Sequence, residues 1–182
     1  SMKTTSCLVN PRACHETMLS YEPTTSPKSV AVIGAGPAGL AYSTVAAERG
    51  HKVTLFDAAD EIGGQFNLAK RVPGKEEFHE TLRYYSKMLD KLGVDVRLGV
   101  RVSAADLEGQ GFDHVVVATG ITPRVPDIKG IDHPMVVGYI DAIMGRKPIG
   151  KKVAVVGAGG IGFDVTDLIT HDGPSAALDI DV

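Results

Sequence analysis

The sequence predicts an α/β protein built on a parallel sheet, and three features carry that prediction. Short apolar runs of strand length alternate with segments of helical period. Two of those runs, SVAVI and KVAVV, open directly into glycine-rich turns at Gly34 and Gly157. The first run, the helix-like segment after it and a further apolar run close within about 30 residues, a spacing that makes the flanking strands parallel.

The elements follow in order. Residues 1–28 show no helical or strand period. Pro11, Pro23, Pro27 and the Thr24–Ser26 cluster read as an extended linker, with room for a turn at Asn10-Pro11. Ser29–Ile33 is expected as a buried strand, Gly34–Gly39 as a turn, and a helix from there to about Arg49, closed by Gly50. Val53–Phe56 is a second buried strand ending at Asp57. A helix is expected from about Lys75 to Leu92, because Phe78, Leu82, Tyr85, Leu89 and Leu92 fall on one face and Gly93 caps the end. Val94–Leu98 follows as a strand, and His114–Ala118 as another buried one before Thr119-Gly120. Pro123–Pro134 reads as loop and Tyr139–Met144 as a short helix. Lys152–Val156 is then expected as a strand repeating the first, so VAVIGAGPAG and VAVVGAGGIG form an internal repeat. Only residues 163–182 follow the second turn, so the second unit is expected to be truncated.

Composition narrows the function. Lys and Arg number 19 against 22 Asp and Glu, a net charge of −3, which provides no basic face for nucleic acid or anionic lipid. No apolar run reaches the roughly 18 residues of a membrane helix. Two cysteines make no disulfide framework, a Cys7–Cys14 bridge has no support in the pattern, and no secretory leader opens the chain; a cytoplasmic location is expected. Ser1 before Met2 reads as a tag remnant, so the natural chain is expected to begin upstream. The six histidines are scattered without metal-ligand spacing, and no G-x-S-x-G elbow or C-x-x-C pair is present.

The chemistry lies in the glycine turns. In Gly34-x-Gly36-x-x-Gly39 the first glycine permits the turn, the second lets the backbone approach a pyrophosphate, and the third lets helix and strand pack closely. N–H groups at the helix start, with the helix dipole, then stabilise phosphates. Pro37 and Ala38 fill the remaining turn positions. Asp57 stands about 20 residues further on, where a carboxylate accepts hydrogen bonds from a ribose 2′-OH. That pairing fits FAD or NAD and repels a 2′-phosphate. The fold class is therefore Rossmann-like, FAD/NAD(P)-binding, and incomplete where the chain ends. Gly157-x-Gly159-x-x-Gly162 is the second such turn, with no acid on a clear strand after it; Asp179 and Asp181 fall only roughly where one would stand. Asp164 is expected in the first turn of the following helix, favouring its dipole.

Further residues carry a resemblance. Glu61-Ile-Gly63-Gly64-Gln65 is similar to the segment after the FAD-binding acid of two-dinucleotide flavoproteins, and Ala118-Thr119-Gly120 to their ATG segment. Arg71 reads equally as a contact to FAD or as a solvated surface arginine. Cys7-Leu-Val-Asn10-Pro11-Arg-Ala-Cys14-His-Glu16 is the more specific match. With GAGPAGLA, VTLFDA, EIGGQFN, PGKEEF, TLRYY, GIDHP and VAVVGAGGIGFD, it resembles the bacterial NADPH-dependent 2,4-dienoyl-CoA reductases. These belong to the old yellow enzyme and trimethylamine dehydrogenase group. The likeness runs from about Thr5 to about Thr170.

That resemblance implies an N-terminal FMN barrel, a 4Fe-4S cluster, and an FAD domain with an NADPH domain inserted. Electrons would run from NADPH through FAD, the cluster and FMN to the dienoyl-CoA. It places Cys7 as the last cluster ligand and matches Cys14 to none. It adds Val102 to the FAD contacts at Gly34, Gly36, Pro37, Ala38, Gly39, Asp57, Gly64, Gln65, Arg71, Ala118, Thr119 and Gly120, and gives Gly157, Gly159 and Gly162 to NADPH. By the same reading, residues 1–28 link to the cluster, 29–147 are the first segment of the FAD domain, and 148–182 begin the NAD(P)H domain. The expected partners are the absent FMN barrel and remaining FAD/NADPH segments. The chain alone is expected to lack turnover and a cluster, to bind FAD more weakly, and to pair with another copy through an open sheet edge. An amine dehydrogenase or enoate reductase of the same group, a glutamate synthase small-subunit type, and a non-catalytic dinucleotide-binding module are the competing readings.

Overall fold

A computed structural model describes residues 5–7, 10–173 and 175. Its elements are β1 (Ser29–Ile33), α1 (Pro37–Glu48), β2 (Lys52–Phe56), α2 (Phe66–Ala69), α3 (Phe78–Lys91), β3 (Asp95–Arg97), α4 (Ala104–Leu107), β4 (His114–Val117), α5 (Tyr139–Ile143) and α6 (Gly160–Thr170). The sheet order is β3-β2-β1-β4, and every pairing is parallel. Register runs Ile33 to Phe56 on one side of β1 and Ile33 to Val117 on the other. The Rossmann-like class expected from the sequence is the class observed.

The chain divides into two compact units. The first joins the residues up to Ile62 with Arg83–Thr119, and the second joins Gly63–Leu82 with the described residues from Gly120 onward. The first holds the whole sheet. Its core is built from Val30, Ala31, Val32, Leu40, Val53, Leu55 and Phe56, all nearly or wholly buried, with Tyr85 and Leu89 from α3. Each fully buried side chain of this size contributes about 1.5–3 kcal/mol on leaving water. Phe56 meets the edge of Phe112 at 6.2 Å and the guanidinium of Arg97 at 5.4 Å. In the second unit Val72, Leu82 and Ile143 are buried, and Phe66 stacks on Phe78 at 4.4 Å.

The helix ends follow the sequence signals. Pro37 opens α1 at its first turn, and Gly50 (φ +94°) and Gly93 (φ +66°) take the left-handed conformation past the ends of α1 and α3. The residues before β1 form turns at 11–14 and 16–18. They are also tied to the first unit: Thr24 N–H donates to the Arg49 carbonyl at 2.8 Å, and Arg49 Nε to the Glu22 carbonyl at 3.1 Å.

Four expectations are corrected. The helix expected from Lys75 begins at Phe78. The strand at His114 is an exposed edge rather than a buried element: Val117 is 75 % exposed, because β4 has a neighbour on one side only. Lys152–Val156 enters no β ladder among the described residues, and Val156 is 83 % exposed. A strand is a property of a pair, and an apolar run with no partner ladder does not become one. Finally, Asp164 lies beyond the first turn of α6, which contains no acidic residue.

Two short helices had no counterpart in the periodicity. α2 spans four residues behind the Gly63-Gly64 turn, and α4 opens with a capping box in which Ser103 and Asp106 exchange bonds. The Ser103 hydroxyl first, and then its backbone N–H, hold the Asp106 carboxyl below its ordinary value. Four residues are too few for helical period to register.

Candidate functional site

The site begins where β1 ends. Gly34 N–H donates to the Phe56 carbonyl at 2.7 Å, and Ala118 N–H donates to the Ile33 carbonyl at 2.8 Å. The chain leaves β1 toward β2, and β4 pairs on the opposite side. Gly34 therefore stands at the switch point of the sheet, where open α/β sheets leave a ligand crevice. Gly34 has φ +110°, and a Cβ placed on it would land on the Ala118 carbonyl. The Ala118-Thr119 end of β4 is thus packed directly against the turn. Sequence reading singled out both segments but not their contact.

Helix α1 points its start at the same crevice. Gly36 is its N-cap in extended conformation, Pro37 follows, and no side chain caps the first turn. The opening N–H groups of a helix have no partner within the helix, so they remain for a ligand. A Cβ on Gly39 would land on the Gly34 carbonyl, so only glycine lets the helix start sit this close to the turn. Ala38 is exposed beside it.

Asp57 completes the constellation in the first unit. Its Oδ2 accepts the Ala35 N–H at 2.5 Å, and its Oδ1 accepts the Ala59 N–H at 2.8 Å. The carboxylate is therefore fixed against the glycine turn before any ligand arrives. Each oxygen keeps acceptor capacity, as a ribose hydroxyl pair requires. The backbone behind it is clipped to the end of β3: Val100 N–H donates to the Asp57 carbonyl at 2.8 Å, and Gly99 N–H to Ala59 at 2.7 Å. Val102 lies half-buried just beyond this clip. No sequence signal pointed to the clip, because it is made by backbone atoms alone.

The remaining expected residues lie in the second unit, apart from Cys7. Gly63 and Gly64 both have positive φ, and a Cβ on Gly63 would come within 2.8 Å of the Asn67 amide. Gln65 is exposed at the N-cap of α2. Gly120 takes φ +74° and is exposed. Arg71 is exposed and lines a hollow of about 310 Å³ with Lys70, Glu76, His171 and Ser175.

The second glycine turn repeats the first in backbone detail. Gly157 has φ +119°, Gly159 caps α6 in extended conformation without a side-chain cap, and a Cβ on Gly162 would land on the Gly157 carbonyl. One feature differs: among the described residues nothing lies within 4 Å of a Cβ on Gly157, whereas Gly34 abuts Ala118. Asp164 takes both its oxygens to Lys75 Nζ. Asp179 and Asp181 lie outside the described residues. Cys7 and Cys14 are free, exposed thiols, and no cluster of three or more metal-ligating side chains occurs among the described residues. No helix among those residues is long and apolar enough to cross a membrane.

Residues 28–173 match the pyridine nucleotide-disulphide oxidoreductases. The chain belongs to that family. Within it, the chain is 37 % identical over 177 residues to a metal reductase of Desulforamulus reducens, covering 94 % of this chain and 26 % of that protein. It is 33 % identical over 180 residues to a cinnamate reductase of Clostridium sporogenes, covering 96 % and 26 %. Among solved structures, 2-naphthoyl-CoA reductase in complex with 2-naphthoyl-CoA superposes with a TM-score of 0.84 at 36 % identity, covering 90 % of this chain and 25 % of that one. The chain thus spans about a quarter of the length of the relatives it matches.

As a pyridine nucleotide-disulphide oxidoreductase domain, the chain is an FAD- and NAD(P)-binding portion of a flavoprotein oxidoreductase. These 182 residues contain no C-x-x-C pair. The residues present fit the first of those dinucleotides. The uncapped start of α1, the Cβ-free approach at Gly34 and Gly39, and the pre-oriented Asp57 carboxylate match a pyrophosphate beside a ribose.

Proposed function

We propose that this chain is the first segment of the FAD domain, with the start of the NADPH domain, of an iron–sulfur flavoenzyme that reduces 2,4-dienoyl-CoA. The observation that carries the FAD part is the crevice at Gly34, where the Ala118 carbonyl and the Asp57 carboxylate converge on one glycine turn. In this reading Gly34, Gly36, Pro37, Ala38 and Gly39 hold the pyrophosphate, and Asp57 holds the ribose. Ala118, Thr119, Gly120, Gly64, Gln65 and Val102 line the cofactor's length, and Arg71 neutralises its charge. Gly157, Gly159 and Gly162 take NADPH at the second turn. When bound, FAD accepts a hydride as two electrons and releases them singly to a one-electron carrier. The chain's own part is to bind and orient: Asp57 fixes the ribose, and the α1 start offsets phosphate charge.

One similarity supports the acyl-CoA part of the reading: the match to 2-naphthoyl-CoA reductase covers 90 % of this chain. The match to a cinnamate reductase, which covers 96 %, supports a reductase parent without the CoA. The electron route proposed is NADPH, FAD, a 4Fe-4S cluster to which Cys7 contributes, FMN, then substrate. The test uses the full-length protein. NADPH should bleach its flavin, and steady NADPH oxidation should require a 2,4-dienoyl-CoA. Bleaching with turnover on cinnamate or an N-methylated amine instead would overturn the substrate. Absence of bleaching by NADPH would overturn the route.

A further inference from the structure

Helix α6 carries the second glycine turn at its head, yet it contains no buried residue. Ile161 is 51 % and Phe163 69 % exposed. The contact of α6 with α5 leaves the residues of α6 at most half-buried, so packing holds this turn only loosely. A charged contact adds to it. Lys75 Nζ lies 2.7 Å from both Oδ1 and Oδ2 of Asp164, at the second turn of α6. The same loop makes a second contact, in which Gly74 N–H donates to Ser175 Oγ at 3.0 Å. Glu76 joins it. Backbone N–H bonding at Glu76 itself holds its carboxyl below the ordinary range; desolvation is the next largest influence and opposes it, and the Ser175 hydroxyl, the Gly74 N–H and the His171 charge add to the lowering.

The loop that grips α6 belongs to the segment Gly63–Leu82, which opens with the Gly63-Gly64-Gln65 turn. Phe66 stacks on Phe78 at 4.4 Å, so the two ends of the segment close on each other around the grip. We propose that Lys75 is a positioning residue: its pair with Asp164 sets the second glycine turn against the segment that carries Gly64-Gln65. The proposal rests on the reading above, in which the second turn receives NADPH and Gly64-Gln65 faces the flavin. Lys75 acts through α6.

Amide hydrogen exchange of the 182-residue chain tests the grip directly. Lys75→Met should speed exchange of the α6 amides at least fivefold and leave β1 and β2 unchanged, and Lys75→Arg should restore protection. In the full-length enzyme Lys75→Met should raise the KM for NADPH severalfold with FAD content and dithionite reduction of the flavin unchanged. Unchanged α6 exchange in Lys75→Met, or an equal rise across the sheet, would overturn the proposal. If NADPH fails to reduce the wild-type flavin, the NADPH reading falls, and the exchange result still decides the role of Lys75.

Discussion

Gly34→Ala is expected to lower stability by roughly 2–6 kcal/mol and to weaken FAD binding at least tenfold. Two costs add. A residue with a Cβ at φ +110° carries strain of about 1–3 kcal/mol. The Cβ also meets the Ala118 carbonyl, a backbone group just past β4 that is tied to β1 by the Ala118 N–H on the Ile33 carbonyl and cannot swing aside; forced overpacking of this kind costs about 1–3 kcal/mol more. Relief requires β4 to move from β1, which opens the crevice that should hold the pyrophosphate. The control is Gly157→Ala. It has similar backbone strain but meets nothing within 4 Å among the described residues, so only the strain should appear, about 1–3 kcal/mol. Urea unfolding of both variants, with FAD titration, checks the difference. Equal losses would show that Ala118 does not confine Gly34.

Asp57→Ala should cost nearly as much by a different route. The side chain accepts from the Ala35 and Ala59 N–H groups, so its removal strands two donors beside a half-buried site. Leaving a buried donor unsatisfied costs about 1–3 kcal/mol, and water access should keep the total near the lower end. The FAD affinity should fall by roughly 10- to 100-fold, the equivalent of about 1.5–3 kcal/mol for a hydrogen bond to a charged acceptor. Asp57→Asn should fall between, because its amide keeps one acceptor oxygen but turns a donor toward one of the N–H groups. Thermal melting and FAD titration measured together separate the two effects. Full FAD affinity in a destabilised Asp57→Ala protein would detach the carboxylate from the ribose.

The legible part of this molecule was local. Gly34, Gly36 and Gly39 announced the turn, because glycine spacing, strand and helix period all agree within one short segment. The αL residues Gly50 and Gly93 were readable for the same reason. What could not be read was long-range. Nothing in the run His114–Val117 tells that one of its sides would be an open edge, since VVV reads the same in a central or a terminal strand. Nothing in KVAVV tells that its ladder partner is absent among the described residues. The Lys75–Asp164 pair joins residues far apart in sequence, and the segments PGKEEF and VAVVGAGGIGFD that carry them give no sign of the contact. The grouping of Gly63–Leu82 with residues from Gly120 onward is likewise a tertiary fact. The candidate site shows the same division: its turns were visible, but the Ala118 wall against Gly34 and the clip of Val100 to Asp57 were not.

The central claim is that the first glycine turn is a site for the adenosine diphosphate half of FAD. Quenching of FAD fluorescence by the 182-residue chain, with ADP and FMN as competitors, tests it most directly. FAD should bind saturably, ADP should displace it, and FMN should not, because FMN lacks the pyrophosphate and ribose that Gly34–Gly39 and Asp57 address. A chain that stays folded by circular dichroism yet binds no FAD, or from which FMN displaces FAD as well as ADP does, would contradict the claim.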